Sequence, residues 1–258
     1  SEGINATVSA PKEVMEKFFY FLDQDTRFEN MPYKENYSDF HPFEKMKVRL
    51  KKEIVRLGKE DLNVDKRGEY VRGEKWDELI SDPEVVTIDT RNKYETLIGS
   101  FEGAIDPETD DFKEFPKWAE ENLDPQKHKK VAMFCTGGIR CEKSTALLKQ
   151  MGFENVYHLE GGILQYFEDT NNKNKKWKGD CFVFDDRIAV NDKLEPVKDK
   201  ILCKKCSAPL DLTADNLMHG YKNINHKGVT CESLGLKCLM SNNRNNIVES
   251  AEAAEFEK

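Results

Sequence analysis

Apolar and polar positions keep two different rhythms along this chain. From Pro83 onward, short apolar runs are separated by helical stretches, the pattern of a parallel sheet covered by helices on both faces. Residues 85–88, 131–134 and 156–159 are its expected buried strands. Residues 141–151 form a helix with Ala146, Leu147 and Leu148 inward, ended by Gly152, and a further helix runs from Ile163 to about Asp169 after Gly161 and Gly162. Ahead of this unit, residues 1–10 suit a short strand. Pro11 then opens a helix through about Asp25, whose stripe of Val14, Phe18, Phe21 and Leu22 is expected to pack in a core. Residues 44–59 alternate at their start: Met46, Val48 and Leu50 take one side, and Lys45, Lys47, Arg49 and Lys51 the other. That predicts a strand with a cationic ladder, in a small α/β or α+β domain ending near residue 75. Behind the sheet unit, NNKNKKWKGD suits a linker, CFVFDDRIAV a strand, and the cysteine-bearing remainder a tail with a frayed or helical end.

Composition narrows the classes. The chain has 258 residues, enough for two compact domains, with 38% hydrophobic and 34% charged residues. No run approaches the roughly 18 to 20 apolar residues of a spanning helix, and SEGINATVSA lacks the basic start and apolar stretch of a signal peptide. No membrane partner and a cytoplasmic address are therefore expected. The chain starts without Met, which suggests that an earlier segment is missing from the first domain. A net charge of −8 argues against wholesale coating of nucleic acid. Locally the balance reverses, since residues 45–59 carry seven basic side chains against one acidic, Glu53. Phosphate contacts through Lys47, Arg49 and Lys51 are one use of that ladder; protection of an edge strand from aggregation is the other. Seven cysteines in a chain without an export signal suggest reduced thiols, a catalytic thiol or metal ligands. No repeat of 20 to 50 residues is present.

The segment VAMFCTGGIRCEKSTALLKQMG carries the chemistry. It places Cys135 directly after a buried strand and before a helix N-terminus. Converging N–H groups from Thr136, Gly137, Gly138 and Ile139, with the fixed charge of Arg140, favour a thiolate over a thiol. Such a cradle also suits a persulfide or an oxyanion. Only four residues separate Cys135 from Arg140, a loop short for wrapping a tetrahedral phosphate, and this favours sulfur. Cys141 could resolve an oxidised or persulfidated Cys135, or simply pack inward. Asp89 and Arg91 suit a structural role, bracing a neighbouring loop through paired hydrogen bonds.

CTGGIRCEKS resembles the active-site loop of a rhodanese domain. VVTIDTRNKYETLIGSFEGAID resembles that family's opening strand with its Asp-x-Arg signature at Asp89 and Arg91, and NVYHLEGGILQYFED its closing strand and glycine turn. The fold class is thus α/β, a rhodanese domain with a parallel sheet flanked by helices. Together with SEGINATVSA, KMKVRLKKEIV and WKGDCFVFDDRIAV, these segments are similar to the oxygen-dependent tRNA uridine hydroxylase family up to about residue 240. The resemblance implies a ferredoxin- or acylphosphatase-like domain, partial here, over residues 1–75, the rhodanese domain over 77–170, and a C-terminal extension over 177–258. It further implies hydroxylation of the wobble uridine, in the anticodon region of tRNA, to 5-hydroxyuridine. Cys135 would be the essential thiol and molecular oxygen the co-substrate.

Ring hydroxylation normally calls for a flavin, a metal or another electron source, yet no dinucleotide fingerprint and no facial pair of histidines with a carboxylate stands in the sequence. Addition of Cys135 to C6 of the uracil would make C5 electron-rich. A rhodanese-like sulfurtransferase carrying a persulfide on Cys135 is the alternative. In the tail, Cys203 and Cys206 form a CxxC half-site that Cys231 and Cys238 would complete around a structural zinc, with His226 between the pairs. The second spacing is wider than usual, so reduced, unligated cysteines are the competing expectation. KNKKWK at 173–178, with Trp177 interleaved, is expected to be flexibly solvated. Cys181 has no assigned role, and the oligomeric state is not legible.

Overall fold

The apolar runs of the central segment lie side by side, because each is covered on both faces. The computed structural model of the chain describes residues 2–211 other than 30, 32, 60, 172–175, 199 and 204. In chain order, α1 (Lys12–Asp23) precedes β1 (Glu69–Val71), α2 (Glu74–Ser81), β2 (Val85–Asp89), α3 (Lys93–Thr96), β3 (Gly99–Phe101) and α4 (Phe115–Asn122). Then come β4 (Lys130–Phe134), α5 (Ile139–Gln150), β5 (Asn155–Leu159) and α6 (Gly162–Thr170). Strands β1, β5, β4 and β2 pair in that order, all parallel.

Alternation along β4 explains the two layers. Val131 and Met133 join one cluster with Phe115, Ala119, Leu147, Leu148 and Phe153, while Ala132 and Phe134 join another with Trp76, Ile163, Tyr166 and Phe167. These four β4 side chains are wholly buried, and a buried Val, Met or Phe contributes about 1.5–3 kcal/mol. The sheet also recruits residues ahead of the expected opening at residue 77. β1 is its edge strand, and Trp76 is buried edge-on against Phe101 and Phe134, at 5.7 and 6.2 Å between ring centres. A three-residue strand, EYV, is too short to announce itself by periodicity.

The amino-terminal expectations need correction. No strand forms over residues 2–10 or 44–59, and among the described residues no strand pairs with either segment. Met46, Val48 and Leu50 are 85, 80 and 100% exposed, so neither side of the alternating segment is covered. A strand needs a neighbour for its ladder and a layer for its apolar face, and here both are lacking. Helix α1 forms as expected, but its stripe does not enter a core: Val14 and Phe21 are exposed, and Phe18 and Leu22 only half-buried.

Beyond α6 the structure again departs from expectation. β6 (Trp177–Gly179) pairs antiparallel with β3, setting Trp177 opposite Phe101. Trp177 is therefore buried, packed on Phe101 and Phe167 and under the Arg91 guanidinium, rather than solvated in a linker. CFVFDDRIAV makes two strands, β7 (Cys181–Phe182) and β8 (Ala189–Val190), closed as a hairpin by a turn in which Arg187 grips Asp185 at 2.6 and 2.9 Å. A second hairpin joins β9 (Lys200–Leu202) and β10 (Pro209–Asp211). Among the described residues, no helix is long and apolar enough to cross a membrane.

Candidate active site

Strand β4 ends in the sheet centre and delivers Cys135 to its C-terminal edge, where parallel sheets open their crevices. The chain then turns through Thr136 and Gly137 to Gly138, the N-cap of α5, whose φ of 91° only glycine adopts without strain. This turn lets the Gly138 N–H reach the Cys135 sulfur at 3.1 Å. The backbone of Arg140 and Cys141 and the Cys141 thiol favour the ionised form of the same sulfur. Carbonyls of the loop point the other way: those of Cys135 and Thr136 accept from Ile163 and Leu164 in the first turn of α6, at 3.0 and 3.2 Å. At Gly162 a Cβ would stand 2.5 Å from both carbonyl oxygens, so the approach of the two backbones requires a residue without a side chain.

Cys135 and Arg140 are both buried, and the charge of Arg140 is not left open. Glu95 of α3, wholly buried, receives Arg140 Nη1 and Nη2 at 2.6 and 2.7 Å in a bidentate pair. At the start of α3 the Asn92 N–H donates to Glu95 Oε1 at 3.0 Å, which fixes the carboxylate in place. Burial pushes the Glu95 carboxyl up, but Arg140 and Arg91 outweigh it and hold the group ionised. Burial likewise opposes ionisation of Cys135. The Cys141 thiol, the Arg140 charge and the backbone donors prevail, bringing the Cys135 thiol down to about 6. Cys141 moves the opposite way, because burial and the neighbouring Cys135 sulfur keep its proton on. Cys181 is pushed up to about 12, chiefly by burial, and stays a thiol.

Asp89 and Arg91 form the brace behind this loop. Arg91 donates to Asp89 at 2.9 and 2.6 Å and to the Gly99 carbonyl at 2.6 Å, and Ser100 Oγ donates to Asp89 at 2.8 Å. Both side chains are wholly buried, so their role is to tie β2 to β3.

The structure gathers the loop residues expected for the site. Thr136, Gly138 and Arg140 are buried around Cys135, Ile139 is half-buried and Gly137 is exposed at the rim. Lys47, Arg49 and Lys51 lie exposed on the amino-terminal segment, and none forms an ion pair among the described residues. Cys203 and Cys206 flank the turn between β9 and β10, where the Cys203 N–H donates to the Ala208 carbonyl and the Ser207 N–H to the Cys203 carbonyl. Cys231 and Cys238 lie outside the described residues, as does His226. Among the described residues no group of three or more potential metal ligands converges.

Two residues at the site escaped sequence reasoning. Glu95 had a usable signal, because Asn92-x-x-Glu95 has the spacing of a capping box at a short helix. Lys34 had none: its Nζ crosses from the amino-terminal segment to donate to the Gly161 carbonyl at 2.6 Å, close enough for the charges of Lys34 and Cys135 to interact. Phe184, 62% exposed, has its ring 5.9 Å from the Arg140 guanidinium carbon and flanks the cradle.

Residues 1–54 match the family described as UPF0176 acylphosphatase like domain, and residues 74–169 match the Rhodanese-like domain family. A tRNA uridine(34) hydroxylase of Wolbachia pipientis wMel is 49% identical over 241 residues, covering 93% of this chain and 85% of that protein. Its counterpart in Anaplasma marginale (strain Florida) is 53% identical over 211 residues, covering 81% of this chain and 76% of that one. Among solved structures, a rhodanese-like domain from Anabaena sp. is 17% identical with a TM-score of 0.35, covering 43% of this chain and 78% of that one.

Proposed function

This chain belongs to the tRNA uridine(34) hydroxylase family, and from that premise we propose that it converts the wobble uridine of tRNA to 5-hydroxyuridine. Cys135 is the nucleophile, Arg140 and the 136–139 loop hold its sulfur as an anion, and molecular oxygen is the co-substrate. The observation that carries this reading is the Cys135 sulfur, buried beside Arg140 with the Gly138 N–H donating to it at 3.1 Å, in surroundings that bring its thiol down to about 6. A thiolate adds readily to C6 of a uracil ring, and the electron pair displaced to C5 makes that carbon the site where oxygen attacks. Glu95 contributes by cancelling the charge of Arg140, which leaves a cradle suited to one sulfur anion rather than to a phosphate dianion.

Lys47, Arg49 and Lys51 are assigned to the tRNA backbone around the anticodon, where exposed cations, unpaired among the described residues, gain most from displacing counterions. The reaction takes place in the cytoplasm, where its tRNA substrate is used. Cys203 and Cys206, on either side of a tight hairpin turn, are assigned as one half of a structural zinc site that Cys231 and Cys238 complete. Elemental analysis of the purified full-length protein should then find zinc in equal amount to the chain; its absence would remove this assignment.

The test of the main reading is mass spectrometry of nucleosides from tRNA incubated in air, with reduced full-length protein or its Cys135→Ser variant. One added oxygen on uridine is expected with the wild type, lost by at least about 10³-fold in the variant. Wild-type activity should rise as the pH climbs through about 6, because the thiolate is the working form and its proton leaves there. Unmodified tRNA alongside transfer of a persulfide from Cys135 would make the protein a sulfurtransferase instead.

A further inference from the structure

Placing one atom of dioxygen on uridine leaves the other to depart as water, and reducing both atoms takes four electrons. The C5–H bond of the uracil provides two. The remaining two need a donor at the site, and a second thiol is buried in the same cluster as the first.

Cys141 lies in the first turn of α5, fully buried in the same core cluster as Cys135, near enough for the Cys135 sulfur to help keep the proton on its thiol. Its N–H bonds the Gly138 carbonyl at 3.0 Å, and Thr90 Oγ1 stands 3.6 Å from its sulfur, so the side chain is held toward the loop. Two thiols buried in one cluster become a disulfide when their sulfurs approach to about 2.05 Å.

Resting on the hydroxylase reading, we propose that Cys141 is the second redox-active residue of the reaction. With Cys135 it supplies two electrons per turnover and ends in a Cys135–Cys141 disulfide, which a dithiol reductant opens before the next cycle. The steps balance as follows. The Cys135 thiolate bonds to C6, and the carbanion at C5 bonds to dioxygen and takes a proton, giving a hydroperoxide. Loss of the C5 proton breaks the C6–S bond, restores the ring double bond and frees the thiolate. That thiolate attacks the terminal peroxide oxygen; the O–O bond breaks, 5-hydroxyuridine leaves with a proton, and Cys135 becomes a sulfenic acid. The Cys141 sulfur then attacks the Cys135 sulfur, the S–S bond forms, the S–O bond breaks, and the oxygen departs as water. In sum, uridine, dioxygen and two thiols give 5-hydroxyuridine, a disulfide and water.

The test uses fully reduced full-length protein, freed of added thiol and mixed with tRNA in air. Expected is a single 5-hydroxyuridine per protein molecule, then arrest, with Cys135 and Cys141 joined in one cross-linked peptide lighter by two hydrogens. Added dithiothreitol should restart turnover. In Cys141→Ser, dimedone should instead trap Cys135 as its sulfenic acid after the single turnover. Repeated turnover of the wild type without added thiol, both cysteines remaining reduced, would overturn the assignment while leaving the hydroxylase reading intact. Unmodified uridine even with dithiothreitol present would overturn that reading, and this inference with it.

Discussion

Residues 46–50 and 131–134 are both short segments rich in apolar side chains, and they meet opposite fates. Met46, Val48 and Leu50 stand almost wholly exposed, whereas Val131, Ala132, Met133 and Phe134 are wholly buried. The difference lies in what surrounds them. A central parallel strand inside repeated strand–helix units carries its own specification, since ladders on both edges and helices on both faces follow from the same stretch of chain. An alternating segment specifies only a face, and it becomes a strand when a partner and a covering layer come from elsewhere. In this molecule the Cys135 loop sits in the self-specified region, and the exposed cationic segment sits in the other.

Removing a wholly buried charge should separate the regions most sharply. Glu95→Gln leaves the buried Arg140 without its carboxylate and should destabilise the sheet unit by about 3–5 kcal/mol in chemical denaturation. A loss below about 1 kcal/mol would mean that the pair is looser than its geometry. Next comes a direct comparison of two leucines. Leu148→Ala, in the core, should cost about 2–5 kcal/mol, and Leu50→Ala, fully exposed, should stay within about 0.5 kcal/mol. A comparable cost at Leu50 would show that residues 46–50 are covered in solution, and the contrast would collapse. The smallest effect is expected in binding. Lys47→Glu with Arg49→Glu should weaken tRNA affinity and flatten its logarithmic salt dependence by about 0.7–0.9 per lost phosphate contact, with alkylation of Cys135 unchanged. Unchanged binding and slope would take these residues out of the RNA interface.

The same contrast explains what was legible in the sequence. The strands around residues 85–88, 131–134 and 156–159 could be read because their signal is local, and the loop from Cys135 to Arg140 because its chemistry is contiguous. Glu95 was missed because its partner lies 45 residues away, although its capping-box spacing was visible. Trp177 was assigned to solvent because lysines and asparagines surround it, while its burial depends on β6 finding β3 across more than 70 residues of chain. For Cys141, inward packing and a role beside Cys135 looked like alternatives. The structure shows the inward packing, and it does so in the cluster that also holds Cys135, so the two readings no longer exclude each other.

Trp177 also bears on where one folding unit ends. Sequence similarity to the rhodanese domain stops at residue 169, and the last helix at Thr170. The indole that closes the cluster of Phe101 and Phe167 and stacks on Arg91 comes from seven residues further on. A fragment cut at the boundary of similarity would present bare aromatic rings and an uncovered guanidinium to water. The piece that can be passed intact between proteins is thus longer than the piece whose sequence is recognisably shared, and the segment after the domain serves as its closing wedge.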